Sequence, residues 1–458
     1  MAATPEPLNP VIQGVINEVA DKNRMARGIR ACETRRSDFA SEQEMLLTGV
    51  AMSTEARQLM NDRFSDYWGS FAGRSFRSDI DCTKREIVIG GGFAAAVYCA
   101  SRVAKGFPKP FVLEQGSAEQ VGGAFAMSLR EVFRLNSRQR PGSVGTPDQD
   151  KALNYLPGGL LQPSMMSSEE YIDNALMAWL IRLTLMQNAV VYPGVTVTGL
   201  SSGTNRMMNL ATSAGDITAG RVLDARGNGT DRDASLADNE RVFTFSQFMV
   251  KMGGTFPLRG MQQVAVIGGG NSGLCAAESA LGIAPGNTSV IGLDYVSQVD
   301  LYATTIDGRT CSAFRSAQRG RYIRLAQFLD GNVSNPSTRL RVMGQLGYAS
   351  ALPDGVLVND RTYDMAVLCT GYKRPRLPGD DLSYFSVTSS SSGNGGVLAK
   401  AATPFESYRI GVAADIAFSG AEFDSGIASI PANRVSMFRN GPRTAALAAM
   451  LPAVGEKR

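Results

Sequence analysis

Val264-Ala265-Val266-Ile267-Gly268-Gly269-Gly270-Asn271-Ser272-Gly273 sets four apolar residues directly before a glycine-rich turn and a helix start. The same order stands earlier, at Ile87-Val88-Ile89-Gly90-Gly91-Gly92-Phe93-Ala94-Ala95. Both stretches read as strand, tight turn, helix, and both match G-x-G-x-x-G/A. The spacing has a physical logic. Gly90 and Gly268 permit the turn. Gly92 and Gly270 let a pyrophosphate approach the backbone. Ala95 and Gly273 must be small so that helix and strand can pack. The helix N-terminal amides then face the phosphates. Two such turns, about 180 residues apart, point to an enzyme that holds two dinucleotides at once. The usual pair is FAD with NAD(P)H.

Composition bounds the rest. The 458 residues allow two or three domains. A hydrophobic content of 44% with 19% charged residues is that of an ordinary globular protein, and the net charge of +4 is small. No basic stripe suggests nucleic acid. No apolar run of about 18 residues suggests a membrane span. Met1 to Pro10 carries Glu6 and two prolines where a secretion signal needs a basic start and an apolar stretch, so a cytoplasmic location is expected. The six cysteines, Cys32, Cys82, Cys99, Cys275, Cys311 and Cys369, form no C-x-x-C pair. That spacing excludes a zinc ribbon and a local redox dithiol, and no metal is expected. Cys99 and Cys275 follow the two turns and read as core packing. The chain has no histidine, which removes histidine triads, dyads and metal sites together. Chemistry carried by a cofactor survives that restriction best.

The expected fold class is α/β, with two Rossmann-like dinucleotide-binding domains and an N-terminal helical extension. Residues 1–84 form the extension, with Val11, Ile12, Val15, Ile16 and Val19 at helical spacing. It packs on the body or a second subunit, or covers the substrate site through Tyr67, Trp68 and Phe71. Residues 85–259 form the first part of the first domain, 260–372 the second domain, and 373–458 a return to the first. In the first domain the second strand is Pro110 to Glu114. Glu114 stands nineteen residues past Ala95, where an acid binds ribose hydroxyls. Ser167 and Glu170 are expected to cap a helix carrying Tyr171, Ala175, Leu176, Trp179 and Leu183. In the second domain the second strand is expected at Ser289 to Leu293, followed by Asp294. Ser383 to Gly396 reads as a surface loop.

These elements resemble the two-dinucleotide-binding flavoproteins, and within them the flavin-containing and N-hydroxylating monooxygenases. Gly90-x-Gly92-x-x-Ala95 looks like that family's FAD turn and Glu114 like its ribose acid. Gly122-Gly123-Ala124-Phe125 is similar to its G-G-x-W segment, with Phe for Trp. Gly268-x-Gly270-Asn271-Ser272-Gly273 looks like its G-x-G-N-S-G turn for the nicotinamide nucleotide. Asp364 to Tyr372 is similar to its D-x-x-x-x-A-T-G-Y, with Cys369 for Ala. Gly411 to Asp415 resembles its late G-x-x-G-D, with Ala414 for Gly. The resemblance implies FAD contacts at Gly90, Gly92, Phe93, Ala94, Ala95, Glu114, Gln115, Gly123, Phe125, Arg138 and Asp415. It implies NAD(P)H contacts at Gly268, Gly270, Asn271, Ser272, Gly273, Thr370 and Gly371. Asp415 reads equally as a helix cap, and Asn136-Ser137-Arg138 equally as a solvated loop.

The family's F-x-G-x-x-x-H fingerprint is absent, because there is no histidine. The cysteine pair of the disulfide reductases is absent too. What the resemblance implies is an NAD(P)H-dependent FAD monooxygenase that forms a flavin hydroperoxide. One oxygen atom then passes to a small-molecule N, S or C centre. The alternatives are an NAD(P)H-dependent reductase without oxygen insertion and a non-catalytic nucleotide sensor. The expected partners are a small-molecule substrate and oxygen, with no nucleic acid and no membrane. A homo-oligomer is allowed. No side chain is assigned as catalytic.

Overall fold

In the computed structural model the described residues are 62, 76–77, 79–123, 134–136, 171–202, 207–226, 230–238, 240–253, 260–281, 296–306, 309–310, 339–373, 397–400, 407–411, 448 and 453–454. Most of the expected N-terminal extension and the loop at 383–396 lie outside them. The fold is α/β.

The first unit opens with β1 (Cys82–Ile89), whose last four residues are all buried, as befits a central strand. It turns into α1 (Phe93–Ala104). Ala95, Ala96 and Cys99 are fully buried there, and their small side chains let the helix lie close on the sheet. Then come β2 (Phe111–Glu114), β3 (Arg134–Asn136), β4 (Tyr171–Asp173) and α2 (Asn174–Asn188). After these run β5 (Val190–Pro193), β6 (Val197–Ser202), β7 (Met208–Thr212), β8 (Ile217–Asp224) and the short β9 (Thr230–Asp231). β1 pairs in parallel with β2 on one side and β8 on the other, and β5 continues the sheet beyond β2. β6, β7 and the first half of β8 form an antiparallel meander. Ile87, Ile89, Phe111, Leu113, Leu210 and Val222 are part of the shared core.

A charged cluster is buried inside this unit. Glu86 Oε2 accepts hydrogen bonds from the Tyr98 hydroxyl and from Arg102 Nε, each at 3.0 Å. Glu86 Oε1 accepts from Arg102 Nη2 and from Arg221 Nη1, each at 2.5 Å. Arg102 Nη1 also donates to the Ala448 carbonyl, tying the C-terminal segment to the core.

The second unit opens with β10 (Val242–Thr244), α3 (Phe245–Gly253), β11 (Gln263–Ile267) and α4 (Asn271–Leu281). It continues through β12 (Gln298–Tyr302), β13 (Thr305–Ile306), β14 (Arg309–Thr310) and β15 (Leu340–Val342). The last part holds β16 (Ala349–Leu352), β17 (Gly355–Val358), β18 (Arg361–Tyr363), β19 (Met365–Leu368) and β20 (Tyr372–Lys373). Its sheet is parallel throughout, in the order β10-β19-β11-β12-β15. β16, β17 and β18 form a meander. β9 and β20 pair antiparallel, so the two chain crossings between the units lie side by side. Finally β21 (Val397–Lys400) and β22 (Ser407–Gly411) return to the first sheet, where β22 pairs in parallel with β8.

Four expectations change. The strand beside β11 is Gln298–Tyr302, not Ser289–Leu293, which lies outside the described residues together with Asp294. The true strand is harder to read because it carries Asp300 at its centre. That carboxylate is buried and accepts from Arg341 Nε at 2.7 Å, Arg341 Nη2 at 2.6 Å and the Tyr363 hydroxyl at 2.7 Å. Tyr171 stands on a strand and the helix begins only at Asn174, because Tyr171–Asp173 pairs with Arg134–Asn136. That pairing also makes Asn136 a strand residue, while Ser137 and Arg138 lie outside the described residues. Residues 242–253 contribute β10 and α3 to the second unit, so the expected boundary at 259/260 falls inside it.

Candidate dinucleotide-binding turns

The two turns are built bond for bond alike. Gly90 N–H donates to Leu113 O at 2.8 Å, and Gly268 N–H to Tyr302 O at 2.9 Å. Ala225 N–H donates to Ile89 O at 2.9 Å, and Cys369 N–H to Ile267 O at 2.7 Å. Ala96 N–H donates to Gly92 O and Leu274 N–H to Gly270 O, both at 3.1 Å. Each turn is thus tied to the next parallel strand, to the strand that follows the meander, and to its own helix.

The first glycines answer to the chain itself. Gly90 has φ +97° and Gly268 φ +121°. A Cβ on Gly90 would lie 2.9 Å from the Ala225 carbonyl oxygen, and one on Gly268 would collide with the Cys369 carbonyl. Gly273 is equally constrained, since a Cβ there would strike Gly268 O. Ala95 is fully buried between helix and sheet. The second glycines are different. A Cβ on Gly92 or Gly270 meets no atom of the described chain within 4 Å, and neither residue sits at positive φ. Equally open glycines such as Gly106, Gly194, Gly260, Gly344 and Gly371 all sit at positive φ. At Gly92 and Gly270 neither strain nor crowding calls for glycine. The space over both residues is open to a group that approaches the backbone. Gly92 is also the N-cap of α1, so no side-chain cap occupies the first-turn amides.

Glu114 ends β2 beside the first turn. Its Oε2 accepts from Gly91 N–H at 2.6 Å and its Oε1 from Gly116 N–H at 2.8 Å. The carboxylate therefore braces the turn, and its remaining lone pairs are available to ribose hydroxyls. Register identifies the matching position in the second turn. Ile89 stands opposite Leu113, and Ile267 opposite Tyr302. One residue further on is Glu114 in the first unit and Ala303 in the second. The position therefore holds a small neutral residue, and Asp294 lies outside the described residues.

The structure brings Gly90, Gly92, Phe93, Ala94, Ala95, Glu114 and Gly123 together, with Gln115 exposed next to Glu114. Phe93 directs its side chain into the interior. Gly123 approaches the turn closely, since a Cβ there would lie 3.4 Å from Gly92 Cα. Around the second turn it brings together Gly268, Gly270, Asn271, Ser272, Gly273 and the strand end that leads into Thr370 and Gly371. Phe125, Arg138 and Asp415 lie outside the described residues. Sequence reasoning missed Ala225 and Arg226 as the partners of Gly90. The available signal was the shared pattern Ala225-Arg226-Gly227 and Cys369-Thr370-Gly371 after the corresponding strands. It also missed Arg182, the single charged residue of α2.

Among the described residues no helix is long and apolar enough to cross a membrane. No protein-family model matches the chain, and no curated protein matches it. Solved structures do. L-lysine 6-monooxygenase from Pseudomonas syringae is 16% identical over 81% of this chain and 100% of its own, with a TM-score of 0.46. Ornithine N-hydroxylase from Kutzneria sp. 744 is 15% identical over 80% and 99%, with a TM-score of 0.49. Bacillithiol disulfide reductase from Staphylococcus aureus is 13% identical over 80% and 98%, with a TM-score of 0.45. The chain is similar, at low identity, to flavin monooxygenases and flavin reductases alike.

Proposed function

We propose that the chain is an NADPH-oxidising flavoenzyme with two Rossmann-like units. In this reading the first turn holds FAD, the second holds the nicotinamide nucleotide, and one oxygen atom passes to a small-molecule N, S or C centre. The observation that carries the reading is the pair of open second glycines, Gly92 and Gly270, in turns that share the same three backbone hydrogen bonds.

The difference between the strand ends supports one distribution of the nucleotides. FAD carries free ribose hydroxyls on its adenosine half, which suit the Glu114 carboxylate. NADPH carries a 2′-phosphate, which an acid would repel, and the buried Ala303 puts no acid at the matching strand end. The hairpin of β13 and β14 follows at once in the chain.

Bound flavin supplies the hydride acceptor and the oxygen-activating group. The residues of this chain do the rest. Gly92 and Gly270 admit the pyrophosphates, the N-terminal amides of α1 and α4 face their charge, and Glu114 orients the first adenosine. Cys82, Cys99, Cys275 and Cys369 are buried free thiols, and burial pushes Cys82 up to about 11. Burial likewise raises Cys99 and Cys369, so these three thiols stay protonated at neutral pH.

The test is turnover with NADPH, labelled oxygen gas and a panel of amines and sulfides, read by product mass. The expected result is a yellow protein and product carrying one labelled atom. Turnover that leaves every product unlabelled would assign the chain to the reductases. A colourless chain that binds neither nucleotide would refute the reading of the turns.

A further inference from the structure

α2 is apolar along most of its length, and its one charged residue is Arg182. That side chain is 1% exposed. Burying a guanidinium is costly unless its donors are used. Arg182 Nε donates to Val121 O at 2.6 Å, and Nη2 donates to Glu119 O. Burial lowers its pKa to about 10, so it remains a cation at neutral pH.

The two carbonyls belong to one short segment. Ala118–Gln120 is a single tight turn after β2, and Val121 closes it. The next residue, Gly122, donates its N–H to Gly91 O at 3.0 Å. Gly123 then lies against Gly92 Cα. A continuous line of contacts therefore runs from Arg182 through Val121 and Gly122–Gly123 to Gly91 and Gly92. Its far end is the open glycine of the first turn. A fork of planar donors suits this task, because it fixes two carbonyls relative to each other as well as to the helix.

We propose that Arg182 is a positioning residue that sets segment 119–123 against the first turn and so shapes the FAD pyrophosphate cradle at Gly92. This rests on the FAD reading of that turn. Arg182 touches no cofactor itself. It acts through the backbone of the segment.

The experiment compares full-length wild type with Arg182→Lys and Arg182→Met. Hydrogen exchange at residues 117–124 is followed first without added FAD. FAD affinity is then titrated, and the visible spectrum of the bound flavin is recorded with and without millimolar guanidinium chloride. Loss of a charge-assisted bond predicts that Arg182→Met weakens FAD binding by about tenfold or more. Exchange at 117–124 should quicken while β1 and α1 stay protected, and added guanidinium should recover part of the affinity. Arg182→Lys, which keeps the charge and loses the fork, should fall between. If Arg182→Met does not fold, Arg182→Lys decides alone, with a weakened affinity and quickened 117–124 exchange expected. Wild-type affinity and wild-type exchange in the folded variants overturn the inference while leaving the FAD reading intact. A wild-type chain that takes up no FAD overturns that reading and this inference with it.

Discussion

At Gly92 and Gly270 a larger side chain would meet no atom of the described chain and would face no backbone strain. Substitution there should spare folding and strike binding. Gly92→Val is expected to fold with near wild-type thermal stability yet lose bound FAD. Gly270→Val should keep FAD and lose reduction by NADPH, while dithionite still reduces its flavin. Absorbance spectra and stopped-flow reduction check both, and a Gly92→Val protein with full flavin would displace the first assignment. Ala303 carries the complementary prediction. Ala303→Asp installs the acid that the first unit has at Glu114. It should raise KM for NADPH by about tenfold or more, through like-charge repulsion of the 2′-phosphate, and favour NADH. An unchanged ratio of kcat/KM for the two nucleotides would mean that the adenosine lies elsewhere.

The elements explain what could be read in advance. β1 and β11 were legible because buried central strands are apolar runs, and the glycines after them mark the turns. β12 was not, because Asp300 interrupts its apolar run, and only the tertiary partners Arg341 and Tyr363 make an acid tolerable there. β4 was hidden in the same way, since Tyr171–Asp173 needs Arg134–Asn136, far away in sequence, to become a strand. The site followed suit. Gly90, Gly92, Gly268, Gly270 and Glu114 sit within the motifs, whereas Ala225, Ala303 and Arg182 are placed by strand register and helix packing. Energetics also acts at this scale, because Glu86 of β1 joins α1 and β8 through two buried arginines. Glu86→Gln leaves both cations without their carboxylate and is expected to cost about 3–5 kcal/mol. Denaturant unfolding measures it, and a loss under about 1 kcal/mol would show that other groups hold these arginines.

Across the whole molecule, the two units repeat one plan. Each runs from strand to glycine turn to helix, then to a parallel strand, a meander, and a last strand beside the first. In the first unit β8 serves both meander and parallel sheet. In the second that role is divided between β18 and β19 at Asp364, whose carboxylate accepts the amides of Gln262 and Gln263. The repetition places two alike turns in one chain, and the strand-end residue beside them is Glu114 in the first unit and Ala303 in the second.

The pairing of β9 with β20 has a further consequence. Asp231 stands opposite Tyr372, so the chain leaves for the second unit and comes back at a single point. Partners across an antiparallel pair are about 5 Å apart, a gap that a two-residue turn closes. The second unit is in this sense a removable cassette. Deleting residues 232–371 and joining the ends through Asn-Gly should leave a smaller protein that still binds FAD and is still bleached by dithionite. NADPH should no longer reduce it. If the shortened chain is insoluble or colourless while the full chain is yellow, the two units depend on each other to fold. If it folds, the host unit becomes a socket into which a different electron-donor module can be spliced.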